Sequence, residues 1–123
     1  MTGQASIFII APPGPWRESL LVLLQASSNV VVAGQADDGS ADRLWLAAHI
    51  PAAVLLDADL PGDEAWEVLR RLKRQQPSIY CLVLVHDFHQ ERQAQVDGAD
   101  QVLLAGFSAE ALFAAIEKIK GNP

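Results

Sequence analysis

The sequence predicts an α/β fold, a doubly wound parallel sheet with helices on both faces. Short apolar runs rich in β-branched residues alternate with longer stretches at helical spacing. Prolines, glycines and Asn/Asp residues punctuate the joints between them. One run, Ala53 to Leu56, is apolar at every position, as a parallel strand covered on both faces should be, and it delivers Asp57 to its carboxyl end.

Each element has its own signal. Ser6 to Ala11 is a first strand, stopped by Pro12, Pro13 and Pro15, which cannot donate to a ladder. Trp16 to Ala26 reads as a helix in which Leu20, Leu21, Leu23 and Leu24 leave few polar positions, so it should be well covered. Ser27, Ser28 and Asn29 break it before a second strand, Val30 to Ala33, and the turn Ala36-Asp37-Asp38-Gly39. Gly39 or Ser40 caps a helix running to about His49, and Pro51 introduces the central strand.

After Leu60-Pro61-Gly62, Asp63 caps a helix with Trp66, Leu69 and Leu72 inward and Arg70, Arg71, Lys73 and Arg74 outward, closed by Pro77. Ile79 to Val85 is a fourth strand. Asp87 to Asp97 is helix-compatible but polar, with only Phe88, Ala94 and Val96 as an apolar edge, which predicts the least firmly held helix. Gly98 is a C-cap, Gln101 to Leu104 a fifth strand, and Ser108 caps a last helix to Lys120.

Five strands alternating with five helices, joined by right-handed crossovers, give a (βα)5 flavodoxin-like sandwich of strand order 2-1-3-4-5. That order sets the ends of strands one, three and four side by side: Ala11 to Pro13, Asp57, and Val85 to His86. Open α/β sheets place their chemistry in such a crevice. The 123 residues suit one domain over residues 5–120, with 121–123 as a stub or the start of a linker.

Composition narrows the function classes. Half the residues are hydrophobic and a fifth charged, as in ordinary globular chains. A net charge of −6 argues against direct nucleic-acid binding by this domain, which would need clustered Lys and Arg. Cys81, alone in an apolar run, reads as an inert buried thiol in a reducing compartment. Ile7 to Ala11 is too short for a signal-peptide core, and nothing approaches a membrane span, so a cytoplasmic protein is expected. There is no nucleophile–base pair to suggest an enzyme.

The block LLDADLPGDEAWEVLRRLK, Leu55 to Lys73, resembles the phosphoacceptor strand, turn and third helix of CheY-like receiver domains of two-component response regulators. Gly98-Ala99-Asp100 matches the segment before that family's fifth strand. The resemblance covers Ala5 to Lys120. It implies that Asp57 accepts a phosphoryl group from a histidine kinase. It also implies Mg²⁺ held by that aspartate, by acids after strand one and by the backbone carbonyl at Asp59. A lysine after strand five and a hydroxyl residue ending strand four would bind the phosphoryl oxygens.

The sequence departs from that pattern at nearly every position but Asp57. Pro12 and Pro13 stand where the family has its acidic pair, and no carboxylate precedes Glu18. Val85 stands at the hydroxyl position and Ala105 at the lysine position. Valine brings no hydroxyl, alanine no charge, and proline neither a carboxylate nor an N–H. The expectation is therefore a degenerate receiver, or pseudo-receiver, acting as a phosphorylation-independent protein–protein interaction module in signalling or transcriptional control, without a cofactor.

Two other readings stay open. One is phosphoacceptance at Asp57 with an altered Mg²⁺ site, and the other is small-ligand sensing with the proline-lined crevice as an apolar pocket. Asp57 and Asp59 would share a cation only if their turn folds back, and two carboxylates make a poor Mg²⁺ site. His86, Asp87 and His89 read as solvated surface residues, and Trp16, Trp45 and Trp66 as core or half-core residues, with Trp16 also placed to cap the pocket in part. The resemblance suggests a partner, output domain or second copy meeting the face that carries Gln90, Gln93, Gln101, Phe107, Phe113 and Lys118.

Overall fold

Parallel pairing between every neighbouring pair of strands builds one five-stranded sheet of order β2-β1-β3-β4-β5, as the sequence predicts. The computed structural model describes residues 4–38 and 49–120. Its elements are β1 (Ala5–Ile10), α1 (Pro15–Gln25), β2 (Val30–Ala36), β3 (Ala53–Asp57), α2 (Glu64–Gln75), β4 (Tyr80–Val85), α3 (Phe88–Val96), β5 (Gln101–Leu104) and α4 (Ala109–Lys120). The helix expected from Gly39 or Ser40 to His49 and the stub 121–123 lie outside the described residues, save His49 itself.

The period of two along each strand divides the core between the two faces of the sheet. On one face Phe8, Ile10, Val54, Leu56, Val83 and Val85 pack with Val68, Leu69 and Leu72 of α2 and Ala94 of α3. On the other, Ile7, Ile9, Leu55, Leu82 and Leu84 pack with Leu20 and Leu24 of α1 and Leu112 and Ile116 of α4. β3 is buried at all five positions, which explains why its sequence shows no alternation.

Several local expectations are corrected. β2 runs on past Ala33 to Ala36, with a bulge where Ile7 pairs Val32 and Phe8 pairs Gly34. The extra residue lets an edge strand continue through Gly34 and Gln35, which carry little strand propensity. α1 is less covered than its leucines suggest: Leu21 and Leu23 are half-buried, and Val22 is exposed. Asp63 holds the N-cap position of α2 without a side-chain capping bond, while its carbonyl accepts from the N–H groups of Trp66 and Glu67. In α3 only Ala94 of the expected apolar edge is buried, and Phe88 and Val96 project into solvent.

The Gly98-Ala99-Asp100 segment earns its sequence through three contacts. Gly98 adopts φ +104°, and a Cβ there would stand 3.1 Å from Lys73 Cγ. Asp100 accepts from the Cys81 N–H at 2.8 Å and from Lys73 Nζ at 2.7 Å on one carboxylate oxygen, while its own N–H donates to the Cys81 carbonyl. Asp100 thereby extends the β4–β5 ladder by one step and ties it to α2. Ser108 caps α4 as expected, accepting from the Ala111 N–H.

Candidate functional site

Asp57 closes β3 with its side chain 6% exposed. The following turn folds back on it: the Asp59 N–H donates to Asp57 Oδ1 at 2.8 Å, an Asx-type local bond that Asp-x-Asp geometry favours. The Ala58 N–H continues the sheet by donating to the Leu84 carbonyl. Strand pairing with β1 and β4 then sets Pro12, Pro13 and His86 around the carboxylate.

The sequence sets His86 at the crevice edge and reads it as solvated; it is exposed there, and what the sequence did not show is its contact with the carboxylates. Its imidazole turns into the crevice, with Nε2 3.1 Å from Asp57 Oδ1 and 3.2 Å from Asp59 Oδ2. The signal was available in the topology, because His86 directly follows the strand that neighbours β3. His89 and Asp87 take other parts. His89 lines a separate surface groove with Arg92, Gln93 and Val96. Asp87 caps α3 by accepting from the Gln90 N–H at 2.8 Å.

Gln90 braces this arrangement from the first turn of α3. Its Oε1 accepts from the His86 N–H at 2.7 Å, and its amide nitrogen lies 3.4 Å from Asp59 Oδ1. The Trp16 indole stands over the other side, its ring centroid 6.2 Å from that of His86 at 54°. Trp16 is therefore a wall of the pocket, as expected.

The cavity measures about 370 Å³ and is lined by Pro12, Pro13, Gly14, Pro15, Trp16, Arg17, Asp57, Asp59 and His86. Arg17 Nη1 donates to Asp37 at 2.6 Å and to the Ala11 carbonyl at 3.0 Å, which fixes the proline loop and offsets the guanidinium charge locally. The pocket combines apolar walls from the prolines and Trp16 with the charged or polar groups of Asp57, Asp59, His86 and Arg17.

Val85 and Ala105, expected in the degenerate pocket, do not line it. Val85 is buried in the core on the α2 side, and Ala105 donates its N–H to the Val85 carbonyl at 2.7 Å. On the expected interaction face, the three glutamines are engaged within the chain: Gln90 as above, Gln93 with Asp97, and Gln101 with the Tyr80 hydroxyl. Phe107 and Phe113 are half-buried against the core, and Lys118 is exposed.

The receiver fold implies Mg²⁺, and the donors present do not match that ion. Mg²⁺ takes near-octahedral oxygen ligands, whereas the β1 end supplies Pro12 and Pro13 and the third donor beside Asp57 and Asp59 is an imidazole nitrogen. Among the described residues, Asp57, Asp59 and His86 form the one His/Asp group whose ligand atoms lie within 4.8 Å of one another.

Comparison with known proteins agrees with the fold. No protein-family model matches the chain. A response regulator from Chloroflexus aurantiacus superposes with a TM-score of 0.86 at 19% identity, over 97% of this chain and 99% of that one. The signal receiver domain of NarL from Mycobacterium tuberculosis superposes at 0.85 with 24% identity, over 98% of each. A receiver domain described as CheY-like, from Methanospirillum hungatei, gives 0.82 at 16% identity, over 98% of this chain and 97% of that one. The fold is that of response regulator receiver domains. In sequence, the chain is 34% identical over 73 residues to the transcriptional regulatory protein NarL of M. tuberculosis, a match spanning 58% of this chain and 34% of that protein's length.

Proposed function

We propose that this chain is a pseudo-receiver: a receiver-fold signalling module that acts through protein–protein contact in two-component-type or transcriptional control, without phosphorylation of Asp57. One observation carries the reading. The Asp57 carboxylate is held by the His86 imidazole and the Asp59 N–H, within a crevice whose β1 edge is proline. Phosphoryl transfer to a carboxylate needs cationic neutralisation of the moving oxygens, and among the described residues this crevice offers proline at its β1 edge, an imidazole and no lysine. On this reading the module's work falls to a protein partner or an output domain in the cytoplasm. NarL, whose name describes a transcriptional regulator, supports that setting.

The retained Asp57 favours a second reading, a weak phosphoacceptor. BeF₃⁻, described as phosphomimetic for the receiver domain of RcsB from Salmonella enterica, separates the two. Trp16 stands at the site, so its fluorescence reports occupancy. Mg²⁺ with BeF₃⁻ should leave the emission of the wild-type chain unchanged. A saturable change that Asp57→Asn abolishes would establish the phosphoacceptor instead.

A further inference from the structure

We infer that Asp57, Asp59 and His86 bind one divalent transition cation of the Zn²⁺ class, in place of the Mg²⁺ that the fold implies. The inference does not rest on the pseudo-receiver reading; it concerns what the altered crevice holds.

The donor set comes first. One imidazole nitrogen and two carboxylate oxygens suit borderline ions such as Zn²⁺, Co²⁺ or Ni²⁺, while an all-oxygen set suits Mg²⁺. Spacing agrees. Donors around a tetrahedral Zn²⁺ at bond lengths of about 2.0–2.2 Å stand about 3.3–3.6 Å apart. His86 Nε2 already lies 3.1 and 3.2 Å from the two carboxylates, close to that separation before any adjustment. Three protein donors would leave an exchangeable position open toward the 370 Å³ cavity.

A second observation points to a ligand. Asp57 is 4% exposed, lines the cavity, and takes both of its hydrogen bonds on Oδ1, which leaves Oδ2 without a protein donor among the described residues. That oxygen keeps access to the cavity, since among the described residues no buried side-chain oxygen is left without a partner, and it is free to take a ligand there. The surroundings also orient the donors: Gln90 holds the His86 backbone and reaches toward Asp59, the kind of outer-shell support that metal ligands use. Arg17, the cation lining the same cavity, is paired with Asp37 at 2.6 Å and so opposes a bound cation less.

The test is a titration of the full chain with Zn²⁺ and, in parallel, Mg²⁺, followed by calorimetry and Trp fluorescence. The expected result is one Zn²⁺ per chain, bound at least about tenfold more weakly by His86→Gln and by Asp59→Asn, and unaltered by His89→Gln. Co²⁺ added to the wild-type chain should show visible d–d bands intensified and red-shifted relative to the aquo ion, and Zn²⁺ should abolish them. This second reading stands even if a variant fails to fold. Equal Zn²⁺ affinity in His86→Gln, loss of binding in His89→Gln, a preference for Mg²⁺, or a Co²⁺ spectrum no different from that of the aquo ion would each overturn the assignment.

Discussion

Replacing Asp100 with alanine should destabilise the fold far more than replacing it with asparagine. The carboxylate does two things at once: it accepts the Cys81 N–H and pairs with Lys73 Nζ. Cys81 is fully buried, so losing the acceptor strands a backbone N–H inside the protein, at about 1–3 kcal/mol. The Lys73 pair is partly exposed, 22% and 31% for the two side chains, so solvent screening limits it to about 0.5–1 kcal/mol. Lys73 also keeps the carbonyls of Pro77 and Ile79. Asp100→Ala should therefore lose about 2–3 kcal/mol, while Asp100→Asn, which keeps an acceptor oxygen, should lose about 0.5–1 kcal/mol. Urea unfolding followed by far-UV circular dichroism measures both, with the Ala variant melting about 10 °C lower. An Ala variant within about 0.5 kcal/mol of wild type, or an Asn variant as damaged as Ala, would refute the ladder-extension argument.

Three further outcomes follow from burial and backbone geometry. Leu56→Ala, at a fully buried position of the central strand, should lose about 2–5 kcal/mol by urea unfolding, while Val22→Ala on the exposed side of α1 should change stability by under about 0.5 kcal/mol. Gly98→Ala should lose about 1–3 kcal/mol, because φ +104° is unfavourable for alanine and the new Cβ would press on Lys73. Burial pushes the Cys81 thiol up to about 12 from its ordinary 9.0, with Asp100 adding to the rise and Lys73 opposing it. The unfolded thiol then ionises first, so stability is intact below pH 9 and falls by about 1.4 kcal/mol per pH unit as pH rises toward 12. Comparing wild type with Cys81→Ala in urea melts at pH 8 and 10.5 isolates that slope, which the variant should lack.

The fold was legible because burial and sequence pattern coincide. Ala53 to Leu56 is apolar at every position and buried at every position, and Pro12 and Pro77 stand just past the ends of β1 at Ile10 and α2 at Gln75. Propensity failed where tertiary contacts overrode it: β2 continues through Gly34-Gln35 because β1 offers a ladder, and Phe88 points outward because α3 packs through Ala94 alone. At the site, Asp57 and the proline edge could be read from sequence. The strand order set His86 at the crevice, but its contact with Asp57 could not be read from local pattern, since the imidazole's aim depends on Gln90 reaching back from the next helix. The reach of Asp59 likewise depended on whether one turn folded back, which a period-two reading cannot decide.

Intact-mass spectrometry after incubation with Mg²⁺ and acetyl phosphate tests the central claim most directly, because it reads the chemistry of Asp57 itself. The chain should stay unmodified, with Asp57 still held by His86 and the Asp59 N–H. A Mg²⁺-dependent gain of one phosphoryl group, absent from Asp57→Asn, would contradict it and make this crevice a working acceptor site.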